Sequence, residues 1–203
     1  MNRRLALASF ALCTVLAAAL PLAAQAPADG AAKKAPMGPR QRTSPHETVS
    51  ARIGGGRGAP LVAITYGRPY SARGGKGEAR KIWGELVPWD KADRLGADEA
   101  TTLLTELPMV IDGKELPAGA YTLYIIASEA GTSKLAFSTH VGKWGIPVDE
   151  TKDVGRFDLK KDALENSVDQ LTIAIANDQA TGGGVIKISW EKTQFSLSFA
   201  LKK

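Results

Sequence analysis

Between Gly67 and Thr102 the chain reads GRPYSARGGKGEARKIWGELVPWDKADRLGADEATT, and this stretch gathers more arginine, lysine, glycine, tryptophan and acid than its flanks, with no repeating apolar period. A long irregular segment inside a compact domain is usually functional or disordered, and two tryptophans with a run of aliphatics argue against disorder. Three chemistries are open to it. Arg68, Arg73, Lys76, Arg80 and Lys81 stand among Gly74, Gly75 and Gly77, where backbone N–H groups can converge on an anion and guanidinium groups can add a bidentate fork. Asp93, Asp98 and Glu99 crowd Arg94, so a carboxylate held against Trp83 or Trp89 could serve as general acid or base. More often, carboxylates amid several arginines are simply their salt-bridge partners, and that is the reading favoured here; Arg68 at a strand end is expected in such a pair.

A second polar group lies in Thr139–Gly155, with His140, Trp144, Asp149, Glu150 and Asp153, and Arg156 follows it. Trp144 and Tyr70, with Trp83 or Trp89, could stack against a sugar ring; tryptophans also plug the open ends of sandwiches. His46 and His140 are the only histidines. They show no spacing such as H-E-x-x-H, so they are weak metal candidates, and neither a metal nor another cofactor is expected. Other motifs fail on context. Gly54, Gly56 and Ala59 fit G-x-G-x-x-A, but a strand follows where a helix is required. Gly75-Lys76 is followed by Gly77 and not by Ser or Thr. Ser189 and Lys192 fit S-x-x-K but lie on a strand and its turn.

The elements that must hold these groups read as strands. Thr48–Ile53 and Leu61–Tyr66 are joined by a glycine-rich hairpin loop, and Thr101–Leu107 is followed by Met109–Ile111 across Pro108. Asp112-Gly113 is a hairpin turn signal. Leu116-Pro117-Ala118-Gly119 opens the apolar strand Tyr121–Ala127, where a tyrosine can pack its ring inward and bond its hydroxyl to the turn backbone. Lys134–Ser138, Arg156–Leu159, Leu171–Ala176, Val185–Trp190 and Phe195–Leu201 complete the set. Leu171, Ile173 and Ile175, like Phe195, Leu197 and Phe199, alternate with small or polar residues, so one face of each strand is buried. Only Lys161–Glu165 suggests a helical turn. The fold class expected is all-β, an antiparallel β-sandwich of about eight to ten strands, with the two polar excursions at one end.

The chain has 203 residues, 44% hydrophobic and 23% charged, ordinary for one globular domain. Residues 1–28 read as a secretory signal peptide, with Arg3 and Arg4, an apolar run from Leu5 to Leu20, and cleavage after Ala26 or Ala28. Residues 29–42 are Ala, Pro, Gly and charge, a flexible linker, and residues 43–203 form one domain. Cys13, the only cysteine, lies in the signal segment, so the mature chain is expected to be free of disulfides and thiol chemistry. Removing Arg3 and Arg4 lowers the formal charge from +5 to +3, too small an excess to suggest nucleic acid. No membrane association is expected after signal cleavage.

The chain resembles the bacterial DUF2911 family, a group without an assigned function. The likeness is carried by Ser44-Pro45-His46-Glu47, Gly67-Arg68-Pro69, Arg80-Lys81-Ile82-Trp83-Gly84, Leu86-Val87-Pro88-Trp89, Gly96-Ala97-Asp98-Glu99-Ala100-Thr101, Leu116 to Leu123 and Trp144-Gly145. Asp93 stands where the family carries tryptophan, and Asp98 where it carries asparagine. The resemblance implies an exported β-rich domain and brings no catalytic mechanism. With the residues, it leads to the expectation of a periplasmic or extracellular, non-catalytic binding module for an envelope sugar, peptide or other small ligand. Its candidate site residues are Arg68, Arg80, Trp83, Arg94, Asp98, Glu99, Trp144 and Arg156. One alternative is a hydrolase or lyase using Asp98 or Glu99 with Arg94 and His46; another is a purely structural envelope protein.

Overall fold

A computed structural model describes residues 42–202. The expected signal peptide, and the linker up to residue 41, lie outside the described residues. Two antiparallel sheets make the body, as the alternating patterns predict. β1 (His46–Arg52) pairs with β2 (Leu61–Gly67), and β2 with β4 (Thr101–Thr105). β4 pairs with β7 (Gly119–Ile126), β7 with β8 (Lys134–Ser138), and β8 with β9 (Asp153–Asp158). The short β3 (Ala92–Arg94) also pairs with β7. The second sheet runs β10 (Lys160–Asp178), β11 (Gly183–Leu201), β5 (Met109–Ile111), β6 (Lys114–Leu116).

The inward residues follow the period-two expectation. Val62, Ile64, Leu103, Leu123, Ile125, Leu135 and Phe137 from one sheet meet Ile173, Ile186, Ile188, Phe195 and Phe199 from the other in a single buried cluster. Tyr66 ties the layers, because its hydroxyl accepts the Ile173 N–H at 2.8 Å and donates toward Glu47 at 3.1 Å. Tyr121 does what its turn predicts, packing its ring inward while its hydroxyl donates to Pro117 O at 2.6 Å. Asp112 and Gly113 both adopt positive φ, 48° and 77°, as a two-residue type I′ hairpin turn requires.

Four readings are corrected. Lys161–Glu165 is extended and belongs to β10, not to a helical turn. Val185–Trp190 and Phe195–Leu201 are one strand, because Glu191 to Gln194 stay paired with β10 instead of turning, and the surplus residues of the irregular stretch lie on β10. The β10–β11 ladder shifts register twice between Ala163 and Thr172, and Glu191 takes φ 52°. The long hairpin therefore curls. Its two ends come so close that a Cβ on Gly183 would lie 2.1 Å from the Phe199 carbonyl oxygen. β9 starts at Asp153, earlier than Arg156, and β3 is a strand inside the excursion read as irregular.

Candidate functional site

The split of the first sheet makes the site. β2 runs beside β4 as far as the Thr65–Thr102 pair, then crosses to the second sheet. Tyr70 bridges Gln170, Ser71 N–H donates to Asp169 O at 2.7 Å, and Leu171 N–H donates to Pro69 O at 2.9 Å. Glycine is required at the point of departure, since a Cβ on Gly67 would stand 2.2 Å from Ala97 O. Beyond that point β3 lies along β7 with no β2 beside it. The resulting gap between the sheets is covered by the segment from Arg73 to Val87, and it forms a cavity of about 300 Å³. Arg68 fixes the crossing by pairing with Glu47 at 3.0 Å and donating to Leu171 O at 3.2 Å. Arg80 fixes the cover, donating from Nη2 to Tyr70 O at 2.5 Å and from Nε to Ser71 O at 3.2 Å.

The cavity walls are apolar. Trp83, Val87, Leu95, Ile125, Leu171 and Trp190 line it, with the exposed side chains of Leu86 and Ile146 at its edge. Trp83 stands edge-on to Trp190 and Phe195, with centroids 6.3 Å and 5.2 Å away. The Nε1 atoms of both Trp83 and Trp190 are buried without a hydrogen-bond partner. Onto these walls the fold places a carboxylate. Asp93 pairs with Ile125, and cross-strand partners share a face, so Asp93 occupies an inward position where the pattern calls for an apolar residue. It has no hydrogen bond or ion pair among the described residues. Burial pushes its pKa up from 3.8 to about 6, against the opposing pull of Arg94.

Arg94, next along the strand, faces outward beside Tyr124 and joins the two excursions. Its Nη1 donates to Asp98 O and, at 3.1 Å, to Trp144 O, and its guanidinium lies 5.2 Å from the Trp144 ring centre. Ala100 N–H also donates to Lys143 O at 3.0 Å. Arg94 and Ile146 border the first cavity and also two neighbouring hollows of about 500 and 510 Å³ along the Trp144–Val148 strap. One holds Tyr124, His140 and Asp149; the other holds Asp90, Glu150 and Arg156. Arg156 there is neutralised by Glu150 and by Asp153, the latter at 2.7 Å. Tyr124 donates its hydroxyl to Asp153, and its pKa is raised by burial first and by that bond second.

The model of the DUF2911 family, proteins of unknown function, matches residues 44–199. The chain belongs to that family. No curated protein and no solved structure matches it significantly.

Within this DUF2911 domain the sequence-derived candidates separate into three groups. Arg80 and Trp83 reach the cavity, and Arg94 and Trp144 form the strap beside it. Arg68 and Arg156 are committed to ion pairs, the first of them the pair expected at a strand end. His46, Asp98 and Glu99 do come together, with His46 Nε2 at 3.2 Å from Asp98 and 3.5 Å from Glu99. Arg42, read as linker, closes that cluster with a two-pronged contact to Glu99, and this contact lowers the Glu99 pKa. Arg94 sends its guanidinium to backbone oxygens and not to these carboxylates, so the proposed acid, base and arginine do not share a reaction centre. Trp83 is packed against the core and Trp89 is half-buried, with the Lys161 ammonium 5.7 Å from its ring, so neither joins Trp144 in a stacking platform. His46 and His140 pair with different carboxylates, and no group of three metal-ligating side chains gathers among the described residues. Asp93 was one acid among several in the sequence. Its position between Ala92 and Leu95, in a segment flanked by tryptophan, was the available sign of a strand, but only the β7 register shows that it faces inward.

Proposed function

We propose that the chain is an exported cell-envelope domain that binds a small ligand, without transforming it, in the cavity between β3 and the Pro69–Ser71 crossing. Export is supported by the basic, apolar and small-residue succession of residues 1–28. The single observation that carries the binding reading is Asp93: an unpartnered, half-buried carboxyl set on the inward face of a strand opposite Ile125, in a cavity that Trp83 and Trp190 also line. Such a group costs stability unless something pairs with it, and breaches of the local pattern concentrate at functional sites. Concave, mostly apolar walls with a few polar groups are the usual form of a small-molecule site, and the cavity volume is at the lower end of that range.

The test is a thermal-shift screen of apolar amino acids, short peptides, amino sugars and carboxylic acids against the protein and its Asp93→Asn variant. A ligand at about 100 times its Kd adds about 2.7 kcal/mol, a rise of roughly 5–10 °C for a domain this size. The expected result is a shift in the wild-type protein that the variant loses. Shifts that survive in the variant, or none across the panel, overturn the reading. A second reading, acid–base catalysis, is favoured by one feature, that burial pushes the pKa of the cavity-lining Asp93 up to about 6. NMR spectra of a bound compound separate the two: it persists unchanged beside a binder and disappears beside an enzyme.

A further inference from the structure

If the cavity binds a ligand, as proposed above, the charged groups around it define what it can hold. Asp93, Arg94 and Arg80 are its half-buried charges, the first two carried on β3 and the third on the covering segment; Arg73 is exposed at its edge. Arg94 lies along the wall but commits Nη1 to Asp98 O and Trp144 O and its plane to the Trp144 ring. Arg80 and Asp93 do not pair with each other. Arg80 is held by Tyr70 O and Ser71 O through Nη2 and Nε, which leaves Nη1 without a partner among the described residues. The fold thus keeps one carboxylate and one guanidinium edge apart, both short of partners, with an indole-lined apolar wall in the same cavity. A simple cation would satisfy Asp93 and be repelled by Arg80 and Arg73. A simple anion would satisfy Arg80 and be repelled by Asp93. A molecule carrying both charges leaves neither group unpaired.

We propose that the cavity takes a zwitterion, an apolar amino acid or a short peptide with both termini free, placing its ammonium on Asp93, its carboxylate on Arg80 and its side chain against Trp83 and Trp190. Binding is linked to protons. The ammonium favours ionised Asp93, so affinity is fully present well above the pKa of about 6 and is lost as pH falls through it. An anion in the same place would favour protonated Asp93 and bind more tightly at low pH. The other titratable and charged groups that face Asp93 are Asp90, Lys91, Glu150 and Arg156 around the neighbouring hollow, besides Arg94 on β3. Glu150 and Arg156 are already paired to each other.

The experiment is an NMR titration of the full chain, reading the indole N–H signals of Trp83 and Trp190. The probes are phenylalanine, the dipeptide alanyl-phenylalanine, 3-phenylpropionate, which lacks the ammonium, and phenethylamine, which lacks the carboxylate. Each missing charge-assisted bond is expected to weaken binding by about tenfold to a hundredfold. Phenylalanine or the dipeptide should therefore bind at least about tenfold tighter than either truncated probe, and the tighter of the two fixes the ligand length. Asp93→Asn should erase the advantage of phenylalanine over 3-phenylpropionate, in a variant whose melting temperature shows that it is folded. Equal or tighter binding of 3-phenylpropionate or of phenethylamine overturns the zwitterion and leaves the cavity as a binding site. Silence of all four at millimolar concentration also overturns it; the cavity reading then stands or falls on the broader thermal-shift panel.

Discussion

Replacing Asp93 by asparagine should stabilise the protein at neutral pH. The side chain keeps its shape and loses its charge, and the charge is what the surroundings oppose. Burial in the fold pushes the carboxyl pKa up to about 6 from its ordinary 3.8. At about 1.4 kcal/mol per pH unit this difference corresponds to roughly 3 kcal/mol. Water still reaches part of the carboxyl and screens it, so a gain of about 1–2 kcal/mol is expected for Asp93→Asn. The sign follows from linkage: with the folded pKa raised, the stabilising contribution of Asp93 is fully present below about 3.8 and lost as pH rises through about 6. Urea unfolding followed by tryptophan fluorescence should show the variant ahead at about pH 7.5 and most of the difference gone at about pH 4. A loss of stability at neutral pH would mean that the carboxylate has a partner, and a gain independent of pH would mean that its charge is not the cause. Either result removes the physical basis of the site.

Three further outcomes test the frame that holds it. Tyr121→Phe deletes the hydroxyl bonded to Pro117 O at 2.6 Å and should cost about 1 kcal/mol in urea unfolding; no loss would show that the turn is not held by this bond. Gly183→Ala places a methyl group 2.1 Å from the Phe199 carbonyl oxygen. It should cost about 2–4 kcal/mol, and a neutral result would contradict the curled hairpin. Arg94→Ala removes the bond to Trp144 O and the contact with its ring; hydrogen exchange should speed up by about tenfold or more in the Trp144–Val148 strap while the core strands keep their protection, and unchanged exchange there would separate the strap from Arg94.

The architecture was legible where it rests on short-range pattern. In β2 the alternating Val62, Ile64 and Tyr66 are all buried, and the Asp112-Gly113 turn and the Tyr121 corner follow from local chemistry. The long hairpin was not legible as two strands, because the residues around Glu191 and Ala163–Thr172 resemble chain ends in composition while the ladder continues through them with shifted register. The site was legible only in outline. Arg80, Trp83, Arg94 and Trp144 could be singled out by type, and the meeting of the two excursions follows from their place at the sheet ends. Which carboxylate faces inward depends on the pairing of a three-residue strand with β7, a long-range fact with no local signature. Asp98 and Glu99, more conspicuous in sequence, are drawn to the edge by Arg42 and His46.

The location of Asp93 follows from the topology. One strand cannot both continue the first sheet and reach the second, so the crossing at Pro69–Ser71 leaves β3 beside β7 without a neighbour in place of β2. An ordinary sandwich would close that opening with inward aliphatic side chains, and Leu95, Val87 and Ile125 begin to do so. At the centre of β3 the chain instead carries an acid, while the two half-buried guanidinium groups at the cavity, those of Arg80 and Arg94, are tied to backbone oxygens that hold the cover and the strap in place. Those two arginines are therefore structural on one edge, and Arg80 remains open on the other. A carboxylate left without a partner in a cavity whose two arginines are tied to backbone oxygens is the feature that a ligand bearing a positive group can complete.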